Sequence, residues 1–553
     1  MSGSITLENR FGVNKMELIS LKYAIFVIVL LVLYYCFPKK YRWYVLLAGS
    51  MAYYVIICKW YVLFIIFTIC TTYGSTIWID KLLKEQNAIV KSHKEDWDRQ
   101  TRKEYKEKGR KKRVAVMLFA LLCNFGILAF LKYIPYAGEL GLLLPLGISF
   151  YTFQSMGYVM DVYREIVEPE KNFLKVALFV SFFPQIIQGP IAIYDKLAGQ
   201  LYEGHSLRLE NLQKGALLVL WGVMKKLVIA DRAVNIINFV MDKPMDFSGT
   251  YVFFAAVVYA LQLYADFSGG IDIVRGIAEM FGITMSTNFN HPYFSRSLTE
   301  YWHRWHMTLG DWCRNYIFYP LSISKRFLNF GKWLKPRFGA HISKVLPGCI
   351  ASVITFIVIG VWHGANMKYL CFGLWNGIVI MLAELFAPVN KKVAGGFFKL
   401  TGLREKGIFA TIVSVLWTFM LILVGYYFDI AANASTAFHM LFKSVTDFHI
   451  SELGINNIIL NLGACGLDEY DILLLIICTL LWFFISFVEE NKKLDMRDFI
   501  LSRKLPLRWA IIYLGIFIVI IFGYYGPGVN PADFVYMPVS YTHLRAHETR
   551  GNL

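Results

Sequence analysis

Twelve apolar stretches run through this chain, at 18–37, 43–58, 60–79, 114–133, 142–163, 215–238, 251–268, 346–366, 368–387, 407–430, 471–488 and 508–525. Each approaches the roughly 20 residues that a helix needs to cross a bilayer's hydrocarbon core. A chain with this pattern has one solution for its backbone polar groups, which is to satisfy them within helices. The expectation is an all-α, polytopic transmembrane protein of about twelve crossings, with re-entrant and interfacial helices added. Composition agrees, since 57% of the 553 residues are hydrophobic and 17% charged, against about 25% charged in ordinary soluble proteins.

The net charge of +17 would suggest nucleic acid in a soluble protein. Here the basic residues fall in short segments between apolar runs, as expected of cytoplasmic loops beside anionic headgroups, and no nucleic-acid partner is expected. The nine cysteines never form C-x-x-C, and most sit inside apolar runs as small hydrophobes, so neither a disulfide framework nor a zinc site is expected. No cleavable signal is expected, because the first apolar run leads through Lys39, Lys40 and Arg42 into further membrane segments.

Charge also orients the chain. Segment 81–113 holds thirteen Lys/Arg and six Asp/Glu, which places it in the cytoplasm and the N-terminus outside. Counting crossings from there puts 321–345 (six Lys/Arg, no acid) and 391–406 (five Lys/Arg, one acid) inside, and 431–470 (one Lys, four acids) outside. Segment 174–194 is apolar but broken by Pro184, Gln185, Gln188, Gly189 and Pro190, and reads as a re-entrant or broken helix lining a cavity. Lys225, Lys226, Asp231 and Arg232 make 215–238 the weakest crossing. The domain reading is a polar extension at 1–15, one membrane domain at 16–537, and a non-native tail at 538–553 that resembles adaptor read-through.

Ionisable residues within such a chain are candidates for chemistry. His363, in GVWHGAN, lies roughly 26 Å along a helix that starts at the cytoplasmic face. A neutral imidazole there could take a proton from a hydroxyl, or could be a buried histidine bonded to a neighbouring helix. Gly360 and Gly364 would let a substrate or another backbone come close. The stretch from Arg296 to Leu321 reads as an amphipathic or re-entrant helix at the cytoplasmic rim, where Trp302, Trp305 and Trp312 supply apolar wall and Arg304 and Arg314 could hold an anionic group. Its alternative is an interfacial anchor without substrate. Glu300, His303 and His306 share an i, i+3 spacing that a metal could use, but no second Glu-x-x-His helix accompanies them, and no metal is expected. Asp266, Asp272 and Arg275 read as partners in intramembrane ion pairs with Lys225 and Lys226. Walker A, nucleophile-elbow, H-E-x-x-H and dinucleotide signatures are missing from the sequence.

Five pieces carry a resemblance: PQIIQGPI from Pro184, KKLVIADR from Lys225, YADFSGGIDI from Tyr264, NFNHPYFSRSLTEYWHRWHMTLGDWCRNYIFYPL from Asn288, and GVWHGANMKYLCFGLWNG from Gly360. In this order the chain resembles the membrane-bound O-acyltransferases, in the bacterial branch of alginate O-acetylation and D-alanyl-teichoic acid transfer. The resemblance implies that a multi-pass protein of the bacterial cell membrane moves an acyl group, acetyl by preference, from a cytoplasmic thioester donor to hydroxyls of an extracytoplasmic polysaccharide. It implies catalytic roles for His363 and His306, and donor or substrate contacts for Trp305 and Arg314. Phe534-Val535-Tyr536 resembles a terminal motif whose tyrosine relays the acyl group, with Met537 departing from the pattern. No bound cofactor is implied, and acetyl-CoA or an acyl carrier protein would be the cosubstrate. An outer-face esterase-like partner and a carrier protein at the cytoplasmic face are implied as partners. D-alanyl transfer to teichoic acid is the near alternative. A transporter or flippase is the alternative of another class, because paired intramembrane charges and a broken segment also occur there.

Overall fold

The computed structural model describes residues 16, 18–134, 142, 144–401, 404, 407–454 and 464–525. The 1–15 extension, Tyr536 and the 538–553 tail lie outside these residues. Among the described residues every regular element is helical, and the protein is an all-α polytopic membrane protein.

Eight helices among the described residues are long and apolar enough to cross a membrane. The difference from twelve has local causes. The stretches 43–58 and 60–79 fall in one run, Lys39–Ser92, joined by a 3-10 turn at Lys59–Tyr61. Leu21–Cys36 and Ile148–Tyr163 are each only 16 residues long. The run expected at 215–238 is interrupted by a π-helical turn at Lys225–Ala230, between Leu209–Met224 and Asp231–Met241. That turn coincides with the charged residues that made this crossing the weakest.

The described residues divide into two compact units, one within 16–220 with 270–286 and one within 221–269 with 287–525. In the first unit, Val62–Ser92 and Arg99–Tyr133 form a helical hairpin that carries the basic segment. Asp98 caps the second helix by accepting the backbone N–H of Gln100 and Thr101. Ile148–Tyr163 is buried on every face from Phe150 to Val162, so its apolar character serves protein packing and not lipid. The broken segment is confirmed as two short helices, Phe173–Ser181 and Phe183–Gln188. Phe182 leaves helical geometry between them, and the freed N–H of Phe183 donates to Ser50 Oγ at 3.1 Å.

In the second unit the longest element is Lys325–His363, which bends at Gly339, where φ is +81°. Its C-terminal part packs on Met367–Leu385. Glycines set that contact: a Cβ on Gly360 would strike the carbonyl oxygen of Tyr369, and one on Gly373 the carbonyl oxygen of Phe356. Gly360 therefore serves the approach of another backbone, one of the two uses that its sequence position allows. Ile408–Ile430, Glu469–Lys492 and Leu505–Phe522 complete the long helices of this unit and expose rows of Leu, Ile and Phe.

Candidate active site

The Arg296–Leu321 stretch does not form the continuous helix expected of it. Leu298–Arg304 stops at Trp305, whose backbone is extended, and His306 adopts the left-handed conformation (φ 44°, ψ 51°) before Met307–Cys313 begins. His303 and His306 consequently do not share a helical face. His303 is exposed, while Glu300 is spent on Arg304 at 2.7 Å. No group of three or more metal-ligating side chains occurs among the described residues.

The break is held by an extended segment. Met307 N–H donates to the carbonyl of Asn288 at 2.9 Å, and Asn290 N–H donates to that of Arg304 at 3.0 Å, bracketing His306 on both sides. A non-glycine residue with positive φ costs energy that its surroundings must supply, and such strain concentrates at functional positions. His306 is 2% exposed. Its ring meets Phe267 edge-on with centroids 4.9 Å apart, and its Nδ1 lies 3.2 Å from Asn288 Oδ1.

His363 is the last residue of its helix, and Gly364 beyond it is extended. Tyr369 lies nearly parallel to the imidazole, centroids 6.0 Å apart, and Phe372 presents an edge at 5.4 Å. Trp362 links the two histidines, 4.8 Å from the ring of His363 and 6.1 Å from that of His306. Two histidines 57 positions apart in sequence thus share one aromatic neighbourhood.

Trp305 is buried among Phe289, Tyr264 and Tyr301, its centroid 5.0, 5.9 and 5.6 Å from theirs. Arg314 pairs with Asp311 at 2.9 Å, and Arg304 with Glu490 at 3.1 Å. Trp302 donates its Nε1–H to Asn376 Oδ1 at 2.9 Å, tying the short helix to Met367–Leu385. Sequence reasoning passed over Asn288 and the hydroxyls of Tyr293, Tyr301 and Tyr426. Tyr426 lies 3.1 Å from the hydroxyl of Tyr293 and 2.7 Å from that of Tyr301. Phenol groups spaced this far along a chain carry no local signal of meeting.

Beside this cluster the expected ion pairing is present in part, at Asp266, whereas Asp272 faces Arg275 at 3.5 Å. Lys226 Nζ lies 2.6 Å from Asp266 and 2.9 Å from Asp231, all three buried, and Lys225 donates to Ser268 Oγ at 2.8 Å. Arg232 joins Asp471 at 2.9 Å.

Comparison with known proteins reaches the part of this geometry that lies before residue 335. Residues 169–335 match the model of the MBOAT, membrane-bound O-acyltransferase family. Over this segment the chain is similar to that family. It is 30% identical over 315 residues to a probable alginate O-acetylase of Pseudomonas syringae pv. tomato, covering 56% of this chain and 54% of the relative. It is 30% identical over 314 residues to a peptidoglycan O-acetyltransferase of Helicobacter pylori, covering 50% of this chain and 56% of that one. A teichoic acid D-alanyltransferase of Bacillus subtilis is 26% identical over 288 residues, covering 51% and 67%. The chain spans a little over half the length of the two acetyl-transferring relatives.

Proposed function

We propose that this chain is a membrane-bound O-acyltransferase that transfers an acyl group, acetyl by preference, from a cytoplasmic thioester to hydroxyls of an extracytoplasmic polysaccharide across a bacterial cell membrane. The observation that carries the reading is the convergence of His306 and His363 on Trp362, within a shell of aromatic rings. In this reading the imidazole of His363 takes the proton of an acceptor hydroxyl as that oxygen attacks the thioester carbonyl. Collapse of the adduct breaks the C–S bond, and the thiolate leaves with the proton. The rings of Tyr369, Phe372 and Trp362 limit water around the base, which restrains hydrolysis of the thioester.

The reading includes the partners that the family resemblance implies: an outer-face esterase-like protein that completes polymer acylation, a carrier protein or acetyl-CoA at the basic inner face, and Tyr536 as an acyl relay. Trp305 serves as wall for the donor, and Arg314 as a contact for its anionic part. The test is transfer of labelled acetyl from acetyl-CoA by the full chain in vesicles, wild type against His363→Ala. The variant is expected to lose transfer by at least about a hundredfold, the lower end of general-base contributions. Unaltered transfer would remove His363 from the chemistry, and solute uptake without transfer would favour a transporter. D-alanyl transfer is a second reading, favoured by the larger share of the Bacillus D-alanyltransferase that the match covers. Acylation from a D-alanyl carrier protein and not from acetyl-CoA would establish it.

A further inference from the structure

Asn288 is 1% exposed, and its Oδ1 faces three groups at once. These are His306 Nδ1 at 3.2 Å, the backbone nitrogen of Thr308 at 3.1 Å and Thr308 Oγ1 at 2.9 Å. The backbone N–H of Thr308 can only donate, so the amide atom turned toward all three must be the carbonyl oxygen. The opposite orientation would set an NH₂ group against an N–H. The cost of the observed orientation is visible, because Asn288 Nδ2 finds no acceptor among the described residues.

An oxygen acceptor leaves His306 Nδ1 one role. It must carry the proton for the contact to be a hydrogen bond. A neutral imidazole holds a single N–H, so Nε2 is then the lone-pair nitrogen. The backbone fixes the same arrangement twice more, through Met307 N–H on the Asn288 carbonyl and the left-handed turn at His306 itself.

We propose that Asn288 is a positioning residue that locks His306 in its Nδ1–H tautomer, so that Nε2 accepts a proton or hydrogen bond during transfer and does not donate to the developing oxyanion. The catalytic consequence rests on the acyl-transfer reading; the tautomer does not. His363 lies on the other side of Trp362 from His306, which places the acceptor nitrogen in a two-imidazole system.

The tautomer is read directly. Nitrogen-15 spectra of the full chain, labelled at its 11 histidines and held in vesicles at neutral pH, are compared with those of His306→Asn. The signals lost in the variant are expected to be those of a protonated Nδ1 and a bare Nε2. A protonated Nε2, alone or together with Nδ1, overturns the proposal.

Kinetics with labelled acetyl-CoA supply a readout that a merely structural asparagine would not move. Asn288→Asp keeps an acceptor but adds a negative charge, which favours the protonated ring, so the acid limb of the kcat profile should rise by about 1–3 pH units. Asn288→Ala should lower kcat by about 10–100-fold, leaving KM and the acid limb in place. An unmoved limb in the first variant together with a wild-type rate in the second rejects the assignment. If the alanine variant fails to fold, the wild-type spectrum still decides. If the wild type transfers no acyl group from any donor, the acyl-transfer reading fails and the tautomer is judged by the spectrum alone.

Discussion

Lys226 bridges two carboxylates, Asp231 and Asp266, in a place where all three are buried. Burying charges is costly, and their attraction offsets that cost only while every partner is present. Lys226→Met should therefore destabilise the protein by about 3–5 kcal/mol, read as a lower unfolding temperature in detergent. The triple replacement of Lys226, Asp231 and Asp266 by apolar residues of similar volume should recover most of that loss, and a triple variant as unstable as the single one would refute the account. This pairing was legible in the sequence, because opposite charges close to one apolar run have few other partners. The two histidines were legible as candidates, through the family resemblance and through the rarity of imidazoles in apolar runs. Asn288 was not, since an asparagine beside Phe289 and Asn290 reads as ordinary loop chemistry and its role exists only once residues 288–290 and 304–307 pair.

The helix pair Lys325–His363 and Met367–Leu385 depends on glycines where each backbone approaches the other. Gly373→Leu would drive a side chain into the carbonyl of Phe356 and should cost about 1–3 kcal/mol or more, with reduced yield and lower thermal stability. Gly396→Ala, at a position with open space around it, should be neutral or slightly stabilising by the same assays. The N-terminal cap of Arg99–Tyr133 gives a pH prediction. Hydrogen bonds from the Thr101 side chain and then its backbone N–H hold the Asp98 carboxyl below its ordinary value of 3.8. Its capping is thus fully present above about pH 4 and is lost as pH falls through the lower folded value, so the protection of the Thr101 amide relative to its intrinsic exchange rate should hold at pH 5 and fall only in stronger acid. Helix positions follow from hydropathy, but Val62–Ser92, Arg99–Tyr133 and Lys325–His363 each run well beyond the apolar stretch that marks them, because their polar ends carry no membrane signal. The breaks at Trp305–His306 and Lys225–Ala230 do not follow from it, because an extended residue or a π turn arises from tertiary contacts that periodicity does not encode.

At the scale of the whole chain, the charge of the loops orients the protein. With Cys introduced at Lys94 or at Asp447 in a background lacking the nine native cysteines, an impermeant maleimide applied to intact cells should label the Asp447 position. The Lys94 position should react only after the membrane is opened. Labelling of both from outside would reverse the assignment. The last described long helix has a different dependence on its surroundings. Among the described residues Leu505–Phe522 has no fully buried side chain, and its 18 residues extend about 27 Å, slightly less than a typical hydrocarbon thickness of about 30 Å. What fixes it in the second unit includes the N–H of Tyr524 on the Leu227 carbonyl, next to the π turn, and Arg232 over the Tyr524 ring. Lipid length thus acts on a helix whose packing onto the core is concentrated near its C-terminal end, at Ile518 and Val519: in vesicles of longer-chain lipids it should shift, and the emission of Trp509 near its other end should report the stretch that the bilayer imposes.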